Sequence, residues 1–154
     1  MVSQTNEQAL EAAIEKHLTG TCLEDLKNGI QEVAIGFTNG RYQLGQVTDF
    51  NMHYALDTKF FWHFLHNTQA EELEKLKRNS PNDWQRKVLE RFDRLIKKHG
   101  ILHLLKKGLS VEDAHFTLFY VAPLNSSGAE IKKRFNSNQF SVTRQVTHST
   151  TNPL

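Results

Sequence analysis

Ser80-Pro81-Asn82-Asp83-Trp84 opens, and Lys97-Lys98-His99-Gly100 closes, the most strongly marked helix in the chain. A Ser cap, Pro at the first helical position and an acid in the first turn form a start signal. Trp84, Val88, Leu89, Phe92, Leu95 and Ile96 then recur at helical spacing as a buried stripe. Gly100 suits the end, and the preceding Lys97, Lys98 and His99 place positive charge where a helix C-terminus favours it. A short helical turn over 101–107 follows, stopped by Gly108.

Working outward, Leu10, Ala13, Ile14 and Leu18 predict a first helix over 6–19 with those residues as its buried stripe, ending at Gly20. Residues 29–37 are β-prone, and Asn39-Gly40 signals a hairpin into 41–47. A helix is expected from Asp57-Thr58 through Phe60, Phe61, Trp62, Phe64 and Leu65. Thr68 and Glu71 read as a capping box for a further helix ending near Lys77. Residues 115–121 carry apolar groups on both faces, which predicts an interior strand. A short helix over 129–135 exposes Lys132, Lys133 and Arg134, and a strand over 140–146 alternates apolar and polar residues. The class is α/β, with α+β as the other reading.

The 154 residues suffice for one domain, and a single cysteine, Cys22, excludes a disulfide framework. Hydrophobic residues make up 38% and charged residues 23%, which argues against intrinsic disorder. No apolar run approaches the ~20 residues of a membrane span, and the N-terminus lacks signal-peptide features. A cytoplasmic protein without membrane partners is expected. The net charge of +2 hides an asymmetry: residues 1–57 carry a net of −5 and residues 71–107 a net of +5. That split directs attention to polyanions meeting the middle of the chain.

Arg144 interrupts the apolar face of its predicted strand. A buried cation must be paired, so a structural ion pair is its first reading and a phosphate contact its second. Lys87, Arg91, Arg94 and Lys98 form a basic stripe beside the apolar one, a presentation that phosphate contacts use. Glu90 can pair with Arg86 and Arg94, which makes a solvated face the competing reading. Glu11, at the edge of the first helix's apolar stripe, could face a polar cleft. His99 and His103 are four apart, but Gly100 breaks the helix between them, and His63 and His66 have no acid nearby. No zinc site is expected. Gly36, Gly40 and Gly45 lack a phosphate-loop fingerprint, and Cys22 beside Glu24 and Asp25 lacks the cation of a catalytic thiol.

Several segments together resemble one family. They are residues 9–20 (Ala9-Leu10-Glu11-Ala12-Ala13-Ile14-Glu15-Lys16-His17-Leu18-Thr19-Gly20), Thr48-Asp49-Phe50-Asn51, Tyr54-Ala55-Leu56-Asp57, Asn82-Asp83-Trp84, residues 92–105, and Val142-Thr143-Arg144-Gln145-Val146. In this order and spacing they are similar to the N-terminal region of the restriction (R) subunit of type I restriction–modification enzymes, over about residues 6–152. The resemblance implies part of an ATP-dependent DNA endonuclease with a Mg²⁺-dependent PD-(D/E)xK nuclease. Its partners would be DNA and the methyltransferase and specificity subunits. The expected fold is an incomplete nuclease-like domain over 1–154, helices packed on a partial mixed sheet, with no motor domain.

The resemblance also implies a metal-binding Asp strand and a Glu-x-Lys strand after Val142–Val146, where this chain instead ends at Leu154. Glu24-Asp25-Leu26-Lys27 and Glu72-Leu73-Glu74-Lys75 are predicted on helix or loop and do not replace them. His148 stands where the family commonly has Tyr. Only Glu11 carries over, as a residue supporting the nuclease centre. The chain alone is therefore expected to be catalytically inert and to hold no cofactor, Mg²⁺ and ATP belonging to the full enzyme. Phe116–Tyr120 and Phe140–Val146 are expected as unpaired, aggregation-prone edges.

Overall fold

The structure, a computed structural model, describes residues 4–29, 42–144 and 146. It is a mixed α/β chain that divides into two compact units, residues 1–60 with 139–154, and residues 61–138. The expected strand over 29–37 (Gly29 apart), the Asn39-Gly40 turn and His148 lie outside the described residues. The described strands do not form one partial mixed sheet. They form three two-stranded ladders, one parallel and two antiparallel.

The first unit contains α1 (Gln4–Thr19), α2 (Leu23–Lys27), β1 (Tyr42–Leu44), a 3₁₀ turn (Val47–Asp49), β2 (Phe50–Asn51), β3 (Leu56–Asp57) and β6 (Phe140–Val142). Strands β1 and β6 run parallel, Tyr42 opposite Phe140 and Leu44 opposite Val142. The Gly45 amide extends this ladder to the Val142 carbonyl. A side chain at Gly45 would collide with Thr143, so the glycine serves close packing.

Helix α1 has the expected position and the opposite orientation. Leu10 and Ile14 are 61% and 49% exposed, whereas Glu15 is fully buried and Glu11, Ala12, Leu18 and Thr19 are half-buried. The inward face is chosen by a charged partner, described below, not by the apolar stripe.

The second unit begins within α3 (Thr58–Thr68) and contains α4 (Ala70–Asn79), α5 (Trp84–His99), α6 (Ile101–Lys107), β4 (Leu109–Val111), β5 (Ala114–Phe116) and α7 (Ala129–Asn136). Phe61, Phe64, Leu65, Leu73, Leu76, Val88, Phe92, Leu104, Leu109 and Phe116 form its core. The α5 stripe is as expected, with Val88 and Phe92 buried. Gly100 and Gly108 end α5 and α6 at φ 78° and 76°, a backbone region open to glycine at little cost.

The start signals are used differently from their sequence reading. Asp83 is the residue preceding α5, and Ser80, Pro81 and Asn82 form the turn before it, with the Asp83 and Trp84 amides bonded to the Ser80 carbonyl. The Thr68–Glu71 capping box is absent. Thr68 donates its hydroxyl back to the Phe64 carbonyl at 2.7 Å, and Gln69 precedes α4.

Residues 115–121 do not form an interior strand. Among the described residues β5 pairs only with β4, and its outer edge meets the side chains of Gln69 and Glu72, at and within the start of α4, in place of a third strand. Glu72 accepts the His115 amide at 2.9 Å, while Gln69 accepts the Thr117 amide at 2.6 Å and donates to the Thr117 carbonyl at 2.8 Å. Asn138 does the same for Tyr120, at 2.9 Å to its amide and 2.7 Å to its carbonyl. A carboxamide presents the donor and acceptor that a neighbouring peptide would. The expected bare edge at Phe116–Tyr120 is thereby filled, and Phe116 is fully buried.

Gln69→Ala and Asn138→Ala should each lower unfolding stability by about 1–3 kcal/mol, the cost of orphaned backbone groups. Amide hydrogen exchange should accelerate at Thr117 in the first variant and at Tyr120 in the second.

Candidate functional site

Two constellations gather the candidate residues, one in each unit. In the first, Arg144 leaves the end of β6 and meets three glutamates from two helices. Its Nη2 donates to both Glu24 carboxylate oxygens at 2.7 and 2.8 Å. Nε lies 3.3 Å from Glu15 Oε2, and Nη1 lies 3.8 Å from Glu11 Oε2. The Arg144 side chain is 11% exposed and that of Glu15 is 0%. Glu15 Oε2 also accepts the Leu23 amide at 3.1 Å, tying α1 to the first turn of α2. The structural ion pair anticipated for Arg144 is thus present, with its partners named.

The electrostatics follow from this geometry. Burial works against the Arg144 charge, but the Glu24 hydrogen bonds and the fields of Glu15, Glu24 and Glu11 outweigh it and raise its pKa. Arg144 in turn holds the Glu24 carboxyl below its ordinary value. Cys22, buried beside this cluster in sequence, has its thiol drawn down by the Asp25 amide. Burial and the neighbouring Asp25 and Glu24 carboxylates prevail and push it up, away from thiolate chemistry.

In the second constellation, α5 and the β4–β5 hairpin border an open groove of about 550 Å³ lined by Arg86, Lys87, Arg91, Arg94, Ser110 and Glu112 among others. Lys87 does not stand free. Its ammonium bonds the Glu112 carboxylate and, at 2.6 Å, the Ser80 hydroxyl. Glu112 sits in the two-residue hairpin turn at φ 53°, a costly conformation for a residue with a side chain. Lys87 and Ser80 hold that turn through the Glu112 carboxylate. Glu90 pairs with Arg86, which also bonds Asp83, and not with Arg94.

Arg91 touches the hairpin only through Nε, 3.3 Å from the Ser110 carbonyl. Arg94 and Lys98 are exposed and make no ion pair with a described residue. The exposed cations of the predicted stripe are therefore Arg91, Arg94 and Lys98, spread over roughly 10 Å of helix.

Sequence reading found Glu11 and Arg144 but missed Glu15 and Glu24. The four-residue spacing of Glu11 and Glu15 was the available signal, since it puts both on one helix face. The Glu-x-Lys triple Glu130-Ile131-Lys132 lies on helix α7 and not on a strand. Glu72 and Glu74 are likewise on a helix, α4. Among the described residues no three His, Cys, Asp or Glu side chains are grouped to hold a metal ion, and no helix is long and apolar enough to cross a membrane. No protein-family model matches the chain, and no curated protein or solved structure matches it.

Arg144→Met should cost about 3–5 kcal/mol, because it leaves Glu15 buried without its counter-charge. Glu24→Gln, at a half-exposed partner, should cost under about 1 kcal/mol. Because the Glu24 pKa is lowered by folding, its stabilising contribution is complete at neutral pH and fades as pH falls through that lowered value. Acid unfolding followed by circular dichroism should therefore lose part of its pH dependence in the Arg144→Met variant.

Proposed function

We propose that this chain is the N-terminal region of a type I restriction R subunit, supplying framework to a Mg²⁺-dependent PD-(D/E)xK nuclease in an ATP-dependent DNA restriction complex. One observation carries the reading. The two outermost segments of the resemblance, residues 9–20 and 142–146, are joined by the pairing of buried Glu15 and half-buried Glu11 with Arg144. Segments so far apart in sequence would both be needed if that ion pair fixes a helix against a nuclease strand. Glu11, half-buried and facing the same guanidinium, is suited to a supporting role beside a metal centre, not to holding the metal alone.

In this reading the chain by itself does not cut DNA, and its partners are DNA with the methyltransferase and specificity subunits. Purified chain should leave plasmid DNA intact in the presence of Mg²⁺. Fused ahead of the metal-binding strands of a working type I R subunit, residues 6–146 should support ATP-dependent cleavage, and Arg144→Met should abolish it. A fusion that assembles but never cleaves would overturn the assignment.

A second reading, a DNA-binding or complex-docking module, is favoured by the exposed ridge of Arg91, Arg94 and Lys98, of which the two arginines line the groove. Phosphate contacts make affinity fall with salt in proportion to their number. The Arg91→Gln/Arg94→Gln variant should bind duplex DNA more weakly, and its log–log salt slope should be shallower by about 2. An unchanged slope would remove these two arginines from the interface.

A further inference from the structure

Along β4, Leu109 and Val111 are buried and Ser110 is exposed, directly across the hairpin from His115. The Ser110 hydroxyl and His115 Nδ1 lie 2.8 Å apart in a hydrogen bond. Gly108 lets the imidazole rest against the backbone, since a side chain there would come within 2.8 Å of Nε2. Helix α5 borders the same groove, and Arg91 donates from Nε to the Ser110 carbonyl at 3.3 Å. That anchor uses one of the five guanidinium N–H groups and leaves those of the terminal nitrogens for another acceptor. Arg94 lies three residues on, a neighbour on the same helix face, and lines the same groove. The groove's acids are already answered: Glu90 bonds Arg86, and Glu112 bonds Lys87 and Ser80. Arg91 and Arg94 have no acid partner among the described residues, so two uncommitted guanidiniums stand beside a hydroxyl.

We propose that Arg91, Arg94 and Ser110 form a discrete seat for a single phosphate group, with His115 positioning the hydroxyl. The planar fork of a guanidinium matches phosphate oxygens in pairs, which a lysine cannot do. An anion in the seat selects the form of His115 that carries hydrogen on Nδ1. The imidazole then donates to the Ser110 oxygen, and the hydroxyl hydrogen turns to the phosphate. A serine among the contacts distinguishes this seat from a diffuse basic surface, which holds an anion by charge alone. The seat itself stands on this geometry. That its phosphate belongs to a nucleic-acid backbone rests on the second reading above, a free phosphate ester being the other source of the same chemistry.

Two titrations of the full chain separate the seat from the carrier of its phosphate. In the first, inorganic phosphate should shift the amide resonances of Arg91, Arg94 and Ser110 before any others. Ser110→Ala and Arg91→Lys, which remove a hydroxyl and a fork but no charge, should each weaken that response roughly three- to tenfold, the worth of one hydrogen bond. Ser110→Thr should restore it, and Lys132→Gln on α7 should leave it unchanged. In the second, duplex DNA should bind Ser110→Ala more weakly by a similar factor at an unchanged salt slope, because no phosphate charge loses its partner. Phosphate shifts at the seat with DNA binding indifferent to Ser110→Ala, or with no DNA binding, would keep the seat and assign it to a free phosphate ester. Absent shifts, shifts centred elsewhere, or a response indifferent to both Ser110→Ala and Arg91→Lys would overturn the seat even if DNA still binds along the ridge.

Discussion

A fully buried glutamate cannot remain ionised without a counter-charge, and that requirement organises the first unit. Glu15 turns α1 so that its carboxylate, and not Leu10 or Ile14, faces inward. The same carboxylate receives the Leu23 amide and so sets the start of α2. Arg144 must then be delivered to it, which the parallel β1–β6 ladder accomplishes, and Gly45 lets the end of that ladder close beside Thr143. One ion pair thus specifies a helix orientation, a turn and a strand register. Such pairs cost heavily when broken and add little stability when intact, so their value here lies in selecting one arrangement.

The second unit solves a different problem. A two-stranded hairpin is marginal in water, and β4–β5 persists because its surroundings satisfy it. Gln69, just before α4, and Glu72 within it serve the outer edge, Asn138 holds Tyr120, and Lys87 with Ser80 holds the strained turn at Glu112. Polar side chains complete what backbone pairing leaves unfinished, while Leu109, Val111, Ala114 and Phe116 face the core.

How much of this was legible in the sequence depends on whether the cause was local. The bounds of α6 and the end of α5 follow from glycines and periodicity within a few residues, and they match. The face of α1 depended on Arg144, more than a hundred residues away, so periodicity found the helix and chose the wrong side. The requirement that Arg144 be paired was legible from its place among apolar residues; which glutamates would answer was not. Residues 115–121 carry real strand propensity, but the carboxamides of Gln69 and Asn138 occupy the positions of neighbouring strands. At the stripe on α5, spacing identified the cations, and only the fold assigned Lys87 to the hairpin turn.

The division of the chain has a consequence for the order in which it can be built. Residues 61–138 are contiguous, so the contacts within the second unit can form once that stretch has left the ribosome. The first unit is interrupted: α1 is synthesised early, yet Glu15 waits for Arg144 near the other end. Closing so long a loop is slow and entropically costly. Until Arg144 is made, Glu15 lacks that partner, so a helix synthesised before the second unit reaches its final environment after it.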